Sequence, residues 1–314
     1  MDSRVHPDLK TLFSTFPETI LDENGLEETR KQMHQMAQNY IQPSDDLVAK
    51  SFHSIPGLQG APAIPIVIYE PVSKHKMMSG VLWIHGGGYI IGGAEINDAL
   101  CRRFVLETDS LVVSVDYRLA PEHPYPAPLE DCYSALKWFS ENATTLGVDS
   151  NRIAVAGQSA GGGLTAALSL LARDRKGPKI AFQMPLYPMI DDRNITPSSY
   201  EITDARVWNR ESNIFGWQMY LGKDGNNDIS QYAAPARATD LSGLPPTYTC
   251  VGELDLFRDE TIDYVTRLLR AGVPTEFHIY PGSYHGFEAF MSQAPIGQRA
   301  ESQYVEALKY ALNK

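Results

Sequence analysis

In "AVAGQSAGGGL" (154–164), Gly157, Ser159 and Gly161 form a G-x-S-x-G pattern between a β-branched run and a helical one. That context is a nucleophile elbow, in which glycines permit a sharp strand-to-helix turn and leave the serine exposed at its tip. A nucleophilic serine attacking a carbonyl needs donors for the developing oxyanion. "WIHGGGYIIGG" (83–93) supplies them in Gly86, Gly87 and Gly88, which have no side chain to block a close backbone approach. The N–H of Ala160, next after the serine, is the natural second source. Phosphate binding by this run is disfavoured, because both the P-loop and the G-x-G-x-x-G spacings are missing. His85 reads as a residue that fixes the loop through hydrogen bonds.

With an elbow serine on such a scaffold the partners follow in the order acid, then histidine. Only His278 and His285 come after the candidate acids. His278 lies inside "EFHIY", where a strand pairs its backbone; His285 lies in "PGSYHGF", a glycine-flanked loop, and is the favoured base. Glu253 and Asp255 both follow the strand in "CVGELDLFRDE", and spacing does not separate them. Asp259 and Glu260 suit the first turn of the next helix, where carboxylates complement the dipole. Asp191 and Asp192 are a weaker third choice.

The elements that must position these residues alternate. Strands are expected at 64–70, 80–85, 111–115, 152–157, 180–187, 247–252 and 276–280, with helical patterns at 129–143, 160–174 and 258–272. Such alternation implies a largely parallel sheet covered by helices on both faces, with ligands beyond the carboxyl ends of the strands. Two segments stand apart. Residues 1–45 carry an amphipathic helical pattern, with Leu26, Met33, Met36 and Tyr40 at helical intervals. Residues 191–232 are rich in aromatics, Tyr200, Trp208, Phe215, Trp217 and Tyr220, most of which read as core of a small helical layer. The two are expected to pack together over one end of the sheet.

The 314 residues, 43% hydrophobic and 21% charged, form a globular composition. The net charge of −11 argues against a nucleic-acid partner. No apolar run is long enough to span a bilayer, and the N-terminus lacks a secretory pattern. Cys101, Cys132 and Cys250 are scattered and odd in number, so they read as buried reduced thiols of a cytoplasmic protein.

Together "HGGGY", "DYRLAPEHPYPAP", "GQSAGGG", "GELDLFRDE" and "HGF" give a family resemblance. From about residue 60 onward the sequence resembles the hormone-sensitive-lipase-like branch of the α/β-hydrolases, which includes many bacterial carboxylesterases. The resemblance implies an α/β-hydrolase fold with Ser159 as nucleophile, Asp255 as acid, His285 as base, and oxyanion donors at Gly87, Gly88 and Ala160. It implies a cap built from residues 1–45 and about 191–232 on a catalytic domain spanning 46–314. The expected activity is hydrolysis of short- to medium-chain carboxylic esters through an acyl-enzyme, with no metal or cofactor. An amidase or N-acyl hydrolase with the same triad is the alternative, and a non-catalytic ligand-binding homologue ranks below it. A small-molecule ester is the expected partner; the resemblance admits a homodimer, although no segment reads as an interface. Gln158, Gly163, Tyr89 and Leu256 stand where the family often has Asp, Asn, Phe or Trp, and Pro. "DYRLAPEHPYPAP" (116–128) is read as support for the oxyanion loop: Asp116, Arg118 and Glu122 hold it by polar contacts, the prolines set its path, and His123 precedes the acid and is a poor base.

Overall fold

The computed structural model describes residues 1–39, 47–73, 77–222 and 228–313. The chain opens with α1 (Pro7–Phe13) and α2 (Leu26–Asn39), then runs through β1 (Val48–Ile55), β2 (Ile64–Pro71), β3 (Met78–Ile84), α3 (Asp98–Thr108) and β4 (Ser110–Val115). It continues with α4 (Ala127–Leu146), β5 (Val148–Gln158), α5 (Ala160–Asp174), β6 (Phe182–Leu186), α6 (Pro197–Glu201) and α7 (Arg210–Leu221). The last elements are β7 (Thr247–Leu254), α8 (Arg258–Arg270), β8 (Thr275–Tyr284), α9 (Phe287–Phe290) and α10 (Pro295–Leu312). Tyr40 lies outside the described residues.

The strands form one sheet in the order β1-β2-β4-β3-β5-β6-β7-β8. β1 and β2 are antiparallel, as are β2 and β4; every later neighbour is parallel. Every residue of β3 and β4 is buried, as expected of strands that lie between two helical layers and therefore read as continuous apolar runs. On one face α3 packs on α10, with the Phe104 and Tyr304 rings 6.4 Å apart and an Arg103–Glu301 ion pair of 2.9 Å. On the other, Ala166 and Leu170 of α5 share a cluster with Tyr264 and Leu268 of α8. The expected α/β architecture is therefore the observed one.

Sequence patterning misses β1. Its residues "VAKSFHSI" are mostly half-exposed or exposed between buried ends, because an edge strand has a neighbour on one side only. β8 runs past the expected 280 to Tyr284, delivering the chain directly to His285. β6 is shorter than expected, ending at Leu186.

The strand register brings two loops together. Ile84, the last residue of β3, pairs with Gly157 near the end of β5. The chain leaving β3 as His85–Gly86 therefore emerges beside the turn at Ser159.

Candidate active site

Ser159 occupies the N-cap of α5 with φ 56° and ψ −119°, a backbone region that L-residues enter only under constraint. The flanking glycines relieve that turn. A Cβ at Gly157 would lie 2.5 Å from Gly161 O, and one at Gly161 would lie 2.1 Å from Ile84 O. Ser159 N–H donates to Leu186 O, and Ser159 O accepts from Gly163 N and Met189 N. The serine is thereby held 6% exposed at the positive end of a helix, which favours negative charge.

His285, just beyond β8, places Nε2 2.9 Å from Ser159 Oγ. Its Nδ1 lies 2.8 Å from Asp255 Oδ2. Asp255 is fully buried at the end of β7, and its second oxygen accepts from Phe257 N at 2.9 Å. The imidazole sits between the Tyr187 and Phe257 rings, each about 5 Å away and near perpendicular (5.1 Å and 82°, 5.1 Å and 76°). Serine, carboxylate and imidazole thus form one hydrogen-bonded line across the ends of β5, β7 and β8.

The other candidate groups lie elsewhere. Glu253 accepts from Gly282 N at 2.8 Å and pairs with Arg4. Asp191 pairs with Arg193, and Asp192 with Arg237. His278 pairs with Glu276 on β8. Asp259 and Glu260 do more than face a helix dipole: Asp259 accepts from Ser198 N, and the buried Glu260 accepts from Ile190 N and Asp191 N. Burial raises the Glu260 carboxyl well above the ordinary carboxylate range.

The glycine run after β3 bends back on itself. Gly87 (φ 120°) and Gly88 (φ 58°) take conformations suited to glycine. A Cβ at Gly87 would strike Ile91 O at 2.0 Å, and one at Gly88 would strike the Trp208 ring at 2.1 Å. Gly86 faces Ser159 closely, a Cβ there lying 3.3 Å from the serine Cβ. Among the described residues, no hydrogen bond is made by the N–H of Gly87, Gly88 or Ala160. His85 stacks on Tyr117 at 4.1 Å, its Nδ1 lies 2.8 Å from Gly86 O, and burial lowers its pKa.

The stretch 116–128 does brace this loop. Asp116 Oδ1 accepts from Ala94 N, Arg118 pairs with Asp131, and Tyr117 OH donates to His85 O. Ala120 N–H donates to Tyr89 O at 3.0 Å. Glu122 meets Arg30 of α2, a partner 92 positions away in the chain.

The helices outside the alternation meet one another and the site. Thr19 N–H donates to Ala205 O, Arg206 pairs with Asp2 and covers the Phe13 ring, and Arg4 pairs with Glu201. Trp217 and Tyr220 are buried, and Tyr220 stacks on Tyr89 at 3.9 Å. Trp208 is half-buried against Gly88. Tyr200 differs from the expected core: it is 59% exposed, with Arg210 over its ring.

Sequence reasoning passed over Tyr187 and Glu288. Tyr187 OH donates to Glu288 Oε1 at 2.5 Å and lies 3.2 Å from Gln158 Oε1. Glu288 is 2% exposed, and burial pushes its carboxyl up to about 7. A glutamate three residues after His285 carries no sign of that burial in its local sequence.

A family model described as the alpha/beta hydrolase fold matches residues 81–289. The chain belongs to the α/β-hydrolase family, in its hormone-sensitive-lipase-like branch. It is 36% identical to carboxylesterase NlhH of Mycobacterium tuberculosis, over 98% of this chain and 97% of the relative. A solved bacterial heroin esterase superposes with a TM-score of 0.95 at 39% identity, covering 100% of this chain and 99% of the other. Esterase LipW from Mycobacterium marinum superposes with a TM-score of 0.92 at 35% identity, covering 99% and 97%. No helix among the described residues is long and apolar enough to cross a membrane, and Cys101, Cys132 and Cys250 are buried and unbridged.

Proposed function

We propose that the protein is a serine carboxylesterase in which Ser159, His285 and Asp255 act as nucleophile, general base and orienting acid on short- to medium-chain esters. The wider class, carboxylic ester hydrolase, follows from its family and its full-length esterase relatives. The observation that carries the finer reading is the continuous line of hydrogen bonds at 2.9 and 2.8 Å through His285.

Ser159 Oγ bonds to the ester carbonyl carbon while His285 Nε2 takes its proton. Asp255 keeps Nδ1 protonated and stabilises the imidazolium. The carbonyl oxygen, now an oxyanion, is held by the N–H groups of Gly87, Gly88 and Ala160. The C–O bond to the alcohol breaks as Nε2 gives its proton to the leaving oxygen. Water then attacks the acyl-enzyme, passing a proton to Nε2, which returns it to Ser159 as the carboxylic acid departs.

In this reading residues 1–45 and 191–232 form a cap over a hydrolase domain of 46–314. On this reading the pocket under the cap is apolar and of finite length; Trp208 packs beside Gly88, and the buried Tyr89–Tyr220 stack ties the cap to the loop that carries Gly88. The three buried thiols suit the cytoplasm. Sedimentation would check the homodimer that the resemblance admits.

The test is hydrolysis of acetyl, butyryl, octanoyl and palmitoyl p-nitrophenyl esters, with Ser159→Ala as control. Acetyl to octanoyl esters are expected to react and palmitoyl poorly, and Ser159→Ala to lose on the order of 10⁴ to 10⁶ in kcat. A Ser159→Ala enzyme of full activity overturns the triad; palmitoyl turnover as fast as butyryl overturns the closed pocket.

A further inference from the structure

We propose that Arg30, on the N-terminal helix α2, is a positioning residue for ester hydrolysis: it sets the direction of the Gly88 N–H through the backbone of the 86–91 loop. The proposal rests on the reading of Gly88 as an oxyanion donor.

The guanidinium uses all three nitrogens. Nε donates to Ile90 O at 2.7 Å and Nη2 to Ala120 O at 2.7 Å, while Nη1 and Nη2 grip Glu122 at 2.7 and 2.9 Å. Ile90 and Ala120 are fully buried, so their carbonyls depend on a protein donor. Glu122 is half-exposed, so its ion pair with Arg30 contributes little beside the two carbonyl bonds. Leu26, one turn earlier on α2, packs with Ile90, Ile91, Ala120 and Met219. The helix is thus fastened to both loops by an apolar and a polar contact.

Peptide planarity transmits this grip. The C=O of Ile90 and the N–H of Ile91 belong to one rigid trans peptide and point in opposite directions. Arg30 holds the first, and the second donates to Gly87 O at 2.9 Å. Gly87 C=O in turn shares its peptide with Gly88 N–H, which must point away from Ile91. Gly87 and Gly88, both at positive φ, resist rotation of that peptide less than other residues would. External bonds must therefore hold it, and Arg30 anchors the chain of contacts that does so. The neighbouring carbonyl, Tyr89 O, is held by Ala120 N–H, and Arg30 holds the other end of Ala120.

The experiment compares Arg30→Ala, Arg30→Lys and Glu122→Gln with the parent enzyme in full-length form. It measures kcat and KM for p-nitrophenyl butyrate, inhibition by an alkyl trifluoromethyl ketone, and Tm. The ketone forms a tetrahedral oxyanion on the serine, so its affinity reports the donors directly. Arg30→Ala is expected to lower kcat by roughly 10- to 100-fold, with KM within about threefold. Ketone inhibition should weaken by about the same factor as kcat/KM. Arg30→Lys, with one donor group but no fork, should recover part of the loss. Glu122→Gln should lose about threefold at most, since both carbonyl bonds remain. A lower Tm with unchanged kcat and ketone affinity below the melt would reduce Arg30 to a structural brace and overturn the proposal. If Arg30→Ala does not fold, Arg30→Lys decides by the same readouts: parental kcat and ketone affinity overturn the proposal, and a matched loss supports it. A parent enzyme insensitive to the ketone means the serine reading has failed, which is visible before any Arg30 variant is measured and takes the proposal down with it.

Discussion

A methyl group added at Gly161 would lie 2.1 Å from the backbone of Ile84, while one added at Gly216 in α7 would find its nearest neighbour, Gly88 O, at 3.1 Å. Both glycines are helical and close to the site, yet they belong to regions held in different ways. The elbow around Ser159 is packed backbone against backbone, and its geometry leaves almost no choice of residue at Gly157 and Gly161. The helical layer is fixed by side chains that reach across: Arg30 to two carbonyls, Arg206 to Asp2 and Phe13, Tyr220 to Tyr89. The first region can vary little without losing its shape. The second can exchange contacts and so alter the pocket while the line of Ser159, His285 and Asp255 stays in place.

The sharpest test of the strand-end region is the pair of carboxylates after β7. Asp255→Asn is expected to reduce kcat by about 10⁴, because the amide can leave His285 in the wrong tautomer. Glu253→Gln should change kcat only a few-fold, since its contacts are Gly282 N and Arg4. Steady-state kinetics on both folded variants decides, and a larger loss from Glu253→Gln would reverse the assignment.

Next comes the contrast between the two glycines. Gly161→Ala should destabilise the protein by on the order of 3 kcal/mol, because backbone must move to admit the methyl. Gly216→Ala should stay within about 1 kcal/mol of the parent, as the gain in helix propensity offsets the tighter contact. Urea unfolding of the two variants measures this, and equal losses would erase the distinction between the regions.

The smallest effect concerns Glu288, three residues after His285 and hydrogen-bonded by Tyr187. Its folded pKa of about 7 lies above the ordinary glutamate value. The native state therefore binds this proton more tightly than the unfolded chain, and stability from this group falls as pH rises from about 4.5 through 7. Glu288→Gln cannot ionise and escapes that fall. Between pH 5 and pH 8 the variant should gain about 2–3 kcal/mol relative to the parent. Urea unfolding at the two pH values reads the difference, and a constant gap means that Glu288 ionises normally.

Legibility in the sequence divides along the same line. The elbow, the glycine run and the strand alternation are local patterns with steric causes, so a window of about ten residues contains them. β1 hides because an edge strand lacks a second neighbour and keeps Lys50 and His53 among its residues. Glu253 and Asp255 stay equivalent in spacing because the turn after β7, with Phe257 N–H on Asp255 Oδ1, decides which carboxylate faces His285. Arg30 is invisible because its partners lie 60 to 92 positions away. Glu288 is invisible because its burial comes from elements far along the chain, Tyr187 on the β6 side among them.

Gly163 and Tyr89 constrain each other's chemistry. The tyrosine hydroxyl donates to Met189 O at 2.7 Å, and a Cβ at residue 163 would fall 2.3 Å from that hydroxyl and 2.1 Å from Met189 O. A side chain at 163 therefore requires both the tyrosine hydroxyl and the backbone at Met189 to move. A ring without the hydroxyl at 89 removes one of these obstacles and also frees Met189 O from its donor. The two positions are therefore coupled: the effect of a side chain at 163 depends on whether the hydroxyl of residue 89 is present, so their substitutions will not act additively.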